Sequence, residues 1–181
     1  MVVTLITGNE HKLRNVKANL GAYGIEVEGE AIETPEIQAS EVGEVAEYSA
    51  IYANELLKKP VLKMDVGFEI SCLGGFPGPF IKYINEWLLP EKVLKMIEGE
   101  KNRKARFVDV VSYCSSPKEV KSFKMIVEGT ITETVRGENG WGIDKVFIPE
   151  GFDKTLAEMT DEERDSVWGA EHWKELVSYL K

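Results

Sequence analysis

Apolar residues open the chain in a near-continuous run over positions 2–6, the pattern of a strand buried on both faces. Thr7-Gly8-Asn9 breaks the run as a turn. Leu13, Val16 and Leu20 then recur at helical spacing, predicting a helix over 10–20 that Gly21 and Gly24 stop. Positions 25–32 alternate, with Ile25 and Val27 against Glu26 and Glu28, and predict a second strand. Pro35 marks 34–38 as a loop. From Glu41 onward Val42, Val45, Ala46, Ser49, Ala53, Leu56 and Leu57 share one face at 3.6-residue spacing, a long helix closed by Lys58-Lys59-Pro60. Residues 61–64 read as a short third strand ended by Asp65, and 68–73 as a further one.

Gly74-Gly75-Phe76-Pro77-Gly78-Pro79 predicts a rigid, tight loop, followed by a helix over 80–88. Pro90 is placed to start the next helix, where a first-turn proline is favoured, and Gly99 to end it. Residues 105–113 and 121–128 predict antiparallel strands joined through Ser115-Ser116-Pro117 and extended by 130–135. Residues 137–142 form a glycine-rich loop and 145–148 a short strand. Thr160-Asp161-Glu162-Glu163 has the form of a capping box that starts a helix, and a last helix covers 170–180. The order predicts an α/β fold with a central meander rather than a pure alternating chain.

With 181 residues, the chain suits one domain, 1–181, or two lobes sharing one sheet. A hydrophobic content of 43% supplies enough apolar surface to offset chain entropy, so disorder is not expected. The net charge of −9 argues against binding a nucleic acid polymer, which needs a basic field. An anionic small ligand is still compatible, because a few local lysines can hold a phosphate. Cys72 and Cys114 form no CxxC pair, and His11 and His172 have no ligand-spaced partners, so neither a disulfide framework nor a zinc site is suggested. No apolar stretch reaches membrane-spanning length, and the first apolar run is too short for a signal peptide; a cytoplasmic location is the expectation.

Four constellations carry candidate chemistry. Thr7-Gly8-Asn9 opens a helix with Lys12 one turn in; a helix N-terminus and a lysine suit a phosphate, although a plain turn with a surface lysine has the same form. Glu36 and Asp65 are carboxylates at a loop and a strand end, able to hold Mg²⁺ or orient a water, or simply to be solvated. The loop after Leu73 leads into a second helix start with Lys82, repeating the geometry of Lys12. Trp141, between Gly140 and Gly142, can stack on a base with Asp144 nearby to accept ring N–H groups, or it can fill the core.

In this order the pieces resemble the inosine triphosphate pyrophosphatase family. The resemblance spans nearly the whole chain. It rests on Thr7-Gly8-Asn9-x-x-Lys12, Pro35-Glu36-Ile37-Gln38, Asp65, the run from Leu73 to Lys82, Arg103-x-Ala105, Gly142-x-Asp144-x-x-Phe147-x-Pro149, and Thr155-x-Ala157-Glu158-Met159. It implies a mixed twisted central sheet with helices on both faces, elongated, with two lobes around a cleft, usually as a homodimer. It also implies Mg²⁺-dependent hydrolysis of a nucleoside triphosphate to a monophosphate and pyrophosphate. Carried over position by position, it makes Lys12 and Lys82 phosphate ligands and Glu36 a metal ligand. Asp65 becomes base or metal ligand, Trp141 the stacking aromatic, Asp144 a pocket acid, and Arg164 the counterpart of a family lysine.

The chain departs from that pattern at several positions. Met64-Asp65 stands where the family has Glu-Asp, Asn15 where it has Glu, and Tyr48 where it has a helix lysine. Trp168-Gly169-Ala170 replaces Ser-His-Arg, a triplet that contributes to purine recognition, and His172 is a candidate substitute. The resemblance therefore leaves two readings. One is an active pyrophosphatase with relaxed base preference; the other is a catalytically impaired nucleotide-binding or interaction protein of the same fold.

Overall fold

The structure, a computed structural model, describes residues 1–181. In chain order the elements are β1 (Val2–Ile6), α1 (Glu10–Gly21), β2 (Glu26–Glu30), α2 (Val42–Leu57), β3 (Val61–Ile70), β4 (Pro77–Gly78), α3 (Ile81–Trp87) and α4 (Pro90–Met96). They continue with β5 (Lys104–Ser116), β6 (Glu119–Ile131), β7 (Phe147–Pro149), α5 (Asp161–Val167) and α6 (Glu171–Leu180). The seven strands form one mixed sheet in the order β2-β1-β3-β5-β6-β7, with β4 paired to β3. β1 is parallel to both β2 and β3, whereas β3–β4 and β6–β7 are antiparallel. The α/β class is as predicted from the pattern. No helix is long and apolar enough to cross a membrane.

The chain divides into two compact units. The first comprises 1–65, 109–125 and 170–181; the second comprises 66–108 and 126–169. In the first unit, strand alternation puts an apolar layer on each face of the sheet. Val3, Leu5, Leu62 and Val111 pack with Val16 and Leu20 of α1 and with Trp173, Leu176 and Val177 of α6. Ile6, Val61 and Cys114 face the other way and pack with Ala50 and Ala53 of α2. Leu56, expected on the buried face of α2, is 59% exposed at the helix end.

The second unit is built around aromatic contacts. Phe68, Phe107 and Phe147 meet pairwise with centroids 4.6–5.3 Å apart, two of the pairs edge to face. Gly129 is forced by this packing, since a Cβ there would lie 2.2 Å from the Ile148 carbonyl oxygen. The capping box read at Thr160 is present: its Oγ1 accepts from the Glu163 N–H at 3.2 Å, and the Glu163 carboxylate accepts from the Thr160 N–H at 2.9 Å. Thr160→Ala is expected to lower stability by about 1 kcal/mol, measured by urea unfolding.

Some boundaries differ from the pattern's prediction, among them the strand expected over 145–148, which is Phe147–Pro149. β3 is one strand of ten residues rather than two short ones, so Asp65 lies mid-strand instead of ending a strand. Pairing with β1 at Val61 and Leu62 and with β4 at Phe68 and Glu69 carries it through the local break. The Gly- and Pro-rich loop is the return that places β4 against β3. The segment 130–135 does not extend the meander, because β6 ends at Ile131.

Candidate functional site

In the first unit, β1 ends directly below the start of α1. Asn9 caps that helix: its Oδ1 accepts from the N–H groups of His11 at 2.9 Å and Lys12 at 3.1 Å, while its own N–H donates to Thr7 Oγ1 at 3.0 Å. Those amides are therefore engaged by the cap. An anion at this turn, which Gly8 leaves open, would meet the Lys12 ammonium and the helix dipole instead. The Lys12 ammonium reaches back over the sheet and donates to the Met64 carbonyl at 3.2 Å.

That contact brings Lys12 beside Asp65. Burial pushes the Asp65 carboxyl above its ordinary range, the Lys63 and Lys12 ammonium groups pull it down, and Glu36 pushes it up. Asp65, Lys12 and Glu36, singled out separately in sequence, thus lie within electrostatic reach of one another. Lys63, which the sequence reading did not select, belongs with them; its Nζ donates to Thr34 Oγ1 at 3.1 Å. Asp65 Oδ2 is buried and has no hydrogen-bond partner. An orphaned carboxylate oxygen with a second, exposed carboxylate nearby fits a hard divalent cation, which prefers oxygen ligands. No three Asp, Glu, His or Cys side chains form a preformed cage. Mg²⁺ needs none, since it keeps waters and is held by one or two carboxylates plus substrate phosphates.

The same unit contains a buried pair absent from the sequence reading. Asp109 on β5 is 4% exposed and His172 on α6 is 1% exposed, with Nε2 to Oδ2 at 3.8 Å. The separation exceeds a hydrogen bond, and Asp109 Oδ1 and both imidazole nitrogens have no partner. Burial pushes Asp109 up to about 7, opposed by Lys12 and assisted by Asp65, and holds His172 down to about 4. At neutral pH the imidazole is therefore neutral and the contact is not a full ion pair. His172 is sealed against Trp173, ring centroids 4.6 Å apart, and is not exposed to contact a base. The only sequence signal for Asp109 was a lone acid in the apolar run Phe107-Val108-Asp109-Val110-Val111.

The second unit carries the remaining candidates. Lys82 lies in the first turn of α3, exposed, with its ammonium 5.8 Å from the Tyr83 ring centroid. Trp141 is 62% exposed, which rules out a core-filling role. Its backbone N–H donates to Asp144 Oδ2 at 2.8 Å, and Arg164 Nη2 approaches the same oxygen at 3.5 Å. Burial raises the Asp144 carboxyl, opposed by the Trp141 N–H and by Arg164. Asp144 thus braces the loop that presents Trp141. Gly140 is required there, at φ +71°, because a Cβ would sit 2.2 Å from Asp144 Oδ2. Trp168 is half-buried, edge-on to Phe107 with centroids 5.4 Å apart.

Two of the recognised motifs prove to be structural. Arg103 donates to the carbonyls of Ile131 at 2.9 Å, Ile97 at 3.3 Å and Thr132. Thr155, fully buried, donates to the Arg136 carbonyl at 3.0 Å, and Glu158 pairs with Arg136 at 2.9 Å. Gly137 packs so closely on this segment that a Cβ would lie 2.4 Å from the Ala157 carbonyl carbon. The segment 155–159 therefore anchors the loop leading to Trp141.

Comparison with known proteins places these features in context. The Ham1 family profile matches residues 3–170. The dITP/XTP pyrophosphatase of Methanopyrus kandleri is 44% identical over 167 residues, 92% of this chain and 89% of that protein. Inosine triphosphate pyrophosphatase 2 of Trypanosoma cruzi is 41% identical over 166 residues, 91% of this chain and 84% of that protein. Among solved structures, the Ham1 protein of Staphylococcus aureus superposes with a TM-score of 0.85 at 26% identity, covering 99% of this chain and 98% of that one.

Proposed function

Because the chain belongs to the Ham1 family, we propose that it is a nucleoside triphosphate pyrophosphatase, releasing pyrophosphate and a nucleoside monophosphate. The observation that carries this reading is the placement of the Lys12 ammonium beside Asp65, a carboxylate with an orphaned buried oxygen. Water attacks the α-phosphorus, a new P–O bond forms, and the bond to the bridging oxygen breaks with pyrophosphate leaving. Asp65 orients that water and takes its proton. Lys12 offsets charge on the phosphates, which the turn Thr7-Gly8-Asn9 admits to the helix start; Lys82 is a proposed phosphate ligand on the resemblance alone. Asp65 and Glu36 are the carboxylates that would hold Mg²⁺. When bound, that cation supplies neutralisation of charge developing on the phosphate oxygens. The homodimer and cytoplasmic location implied by the resemblance belong to the same proposal.

Base recognition falls to the exposed face of Trp141, with Asp144 and Arg164 beside it. Stacking tolerates any base, whereas hydrogen-bond readout discriminates strongly. Trp168-Gly169-Ala170 offers only the indole N–H donor of Trp168 in place of the three polar side chains of Ser-His-Arg, and buried His172 does not replace them. Preference for inosine and xanthosine triphosphates over adenosine and guanosine triphosphates is accordingly expected to be weak. Measuring kcat/KM for pyrophosphate release over those four substrates with Mg²⁺ tests both points. Selectivity above roughly 100-fold, beyond what apolar contacts alone supply, would contradict the relaxed preference. Nucleotide binding without any hydrolysis would favour a binding protein of the same fold.

A further inference from the structure

The loop that presents Trp141 is held from two sides. From within, Asp144 Oδ2 accepts from the Trp141 backbone N–H at 2.8 Å. The helical turn Ile143–Lys145 that follows closes on itself. The N–H groups of Asp144, Lys145 and Val146 donate to the carbonyls of Trp141, Gly142 and Ile143 at 3.1, 3.3 and 3.1 Å. The first N–H of such a turn finds no acceptor inside it. That N–H belongs to Ile143, which is buried, and it donates to Asn85 Oδ1 at 3.1 Å. Asn85 comes from α3, 58 positions earlier in the chain. Gly142 rests against the same corner: a Cβ there would meet Asn85 Oδ1 at 3.5 Å, and the Leu88 carbonyl oxygen and Pro90 Cδ at 3.9 Å. All these residues belong to the second unit. Asn is a poor helix former whose side chain favours capping, and in α3 it caps a turn of another segment.

We propose that Asn85 is a positioning residue for base recognition: by accepting the Ile143 N–H it fixes the turn from which Trp141 meets the base. The inference rests on the reading of Trp141 as the stacking aromatic. Stacking needs a ring held in one plane, and the exposed Trp141 ring has little core packing to hold it. Its orientation is therefore set by the backbone on either side. Asp144 fixes the residue itself and Asn85 fixes the turn after it.

The probes are the two products of the proposed reaction: inosine monophosphate, which carries a base, and pyrophosphate, which does not. Each is titrated calorimetrically. Asn85→Leu removes the acceptor and is expected to bind inosine monophosphate about tenfold more weakly, the scale of one neutral hydrogen bond left unmade. Pyrophosphate affinity is expected to stay unchanged. In turnover KM for inosine triphosphate rises about tenfold with kcat nearly constant, the sign of binding lost equally in ground and transition states. Asn85→Asp keeps an acceptor oxygen and is expected to restore binding. In a Trp141→Ala background Asn85→Leu is expected to cost nothing further, because the two residues act through one contact. Asn85 is half-buried, and Asn85→Ala, which removes the acceptor without adding bulk, carries the same prediction where Asn85→Leu does not fold. Unchanged inosine monophosphate binding in a folded acceptor-free variant overturns the proposal. So does an equal loss for both probes, or a full additional loss in the Trp141→Ala background. If triphosphates are hydrolysed while these variants bind both probes as before, the pyrophosphatase reading stands and this one falls. If inosine monophosphate binding follows the acceptor without any turnover, this one stands and the activity falls.

Discussion

Asp65→Asn is expected to reduce pyrophosphate release by about 10²- to 10⁴-fold in kcat, the span associated with a positioned general base. The substitution preserves shape and removes the charge that orients water and would hold a cation. Asp65 is only partly buried and lies inside a ten-residue strand paired at both ends, so the fold should survive. Circular dichroism checks the fold, and steady-state kinetics checks the effect. Near-full activity in the Asn variant would remove Asp65 from the chemistry.

The second large effect is on stability and depends on pH. Asp109 is pushed from 3.8 to about 7 in the folded protein. A carboxyl with a raised folded value favours the folded state below its unfolded value and loses that advantage as pH rises to the folded one. Relative to Asp109→Asn, the unsubstituted protein should therefore lose up to about 4 kcal/mol between pH 4 and pH 8. His172, held down to about 4, costs stability in the opposite direction, as pH falls below 6.5. It is present in both proteins, so its contribution cancels to first order. Urea unfolding at stepped pH in metal-free buffer measures the difference. A constant gap across that range would mean the carboxyl is not buried as charge at all.

Local patterns in the chain specify most of its elements. The apolar run of β1, the 3.6-residue stripe of α2 and the capping box of α5 each appear where period and cap chemistry place them. The sequence pattern divides β3 because Asp65, a charged residue after an apolar run, looks locally like a strand end. Pairing partners far away in sequence override that signal. Lys12, Glu36 and Asp65 were legible one by one, but not the reach of Lys12 to the Met64 carbonyl, which depends on how α1 lies over the sheet. Asp109 and His172 were illegible as a pair for the same reason. They stand 63 positions apart by their residue numbers, on β5 and α6, and only the packing of α6 on the sheet brings them together. Trp141 was ambiguous in sequence because an aromatic between glycines suits a core or a surface equally. Its exposure follows from the turn that Gly140 and Asp144 impose.

Identification of the products by ³¹P nuclear magnetic resonance tests the proposed reaction most directly. With inosine triphosphate and Mg²⁺, the prediction is a pyrophosphate signal with an equal amount of nucleoside monophosphate, and neither product when the cation is chelated. Orthophosphate with nucleoside diphosphate would place the cleavage at the wrong bond and contradict the assignment of the α-phosphorus as the site of attack.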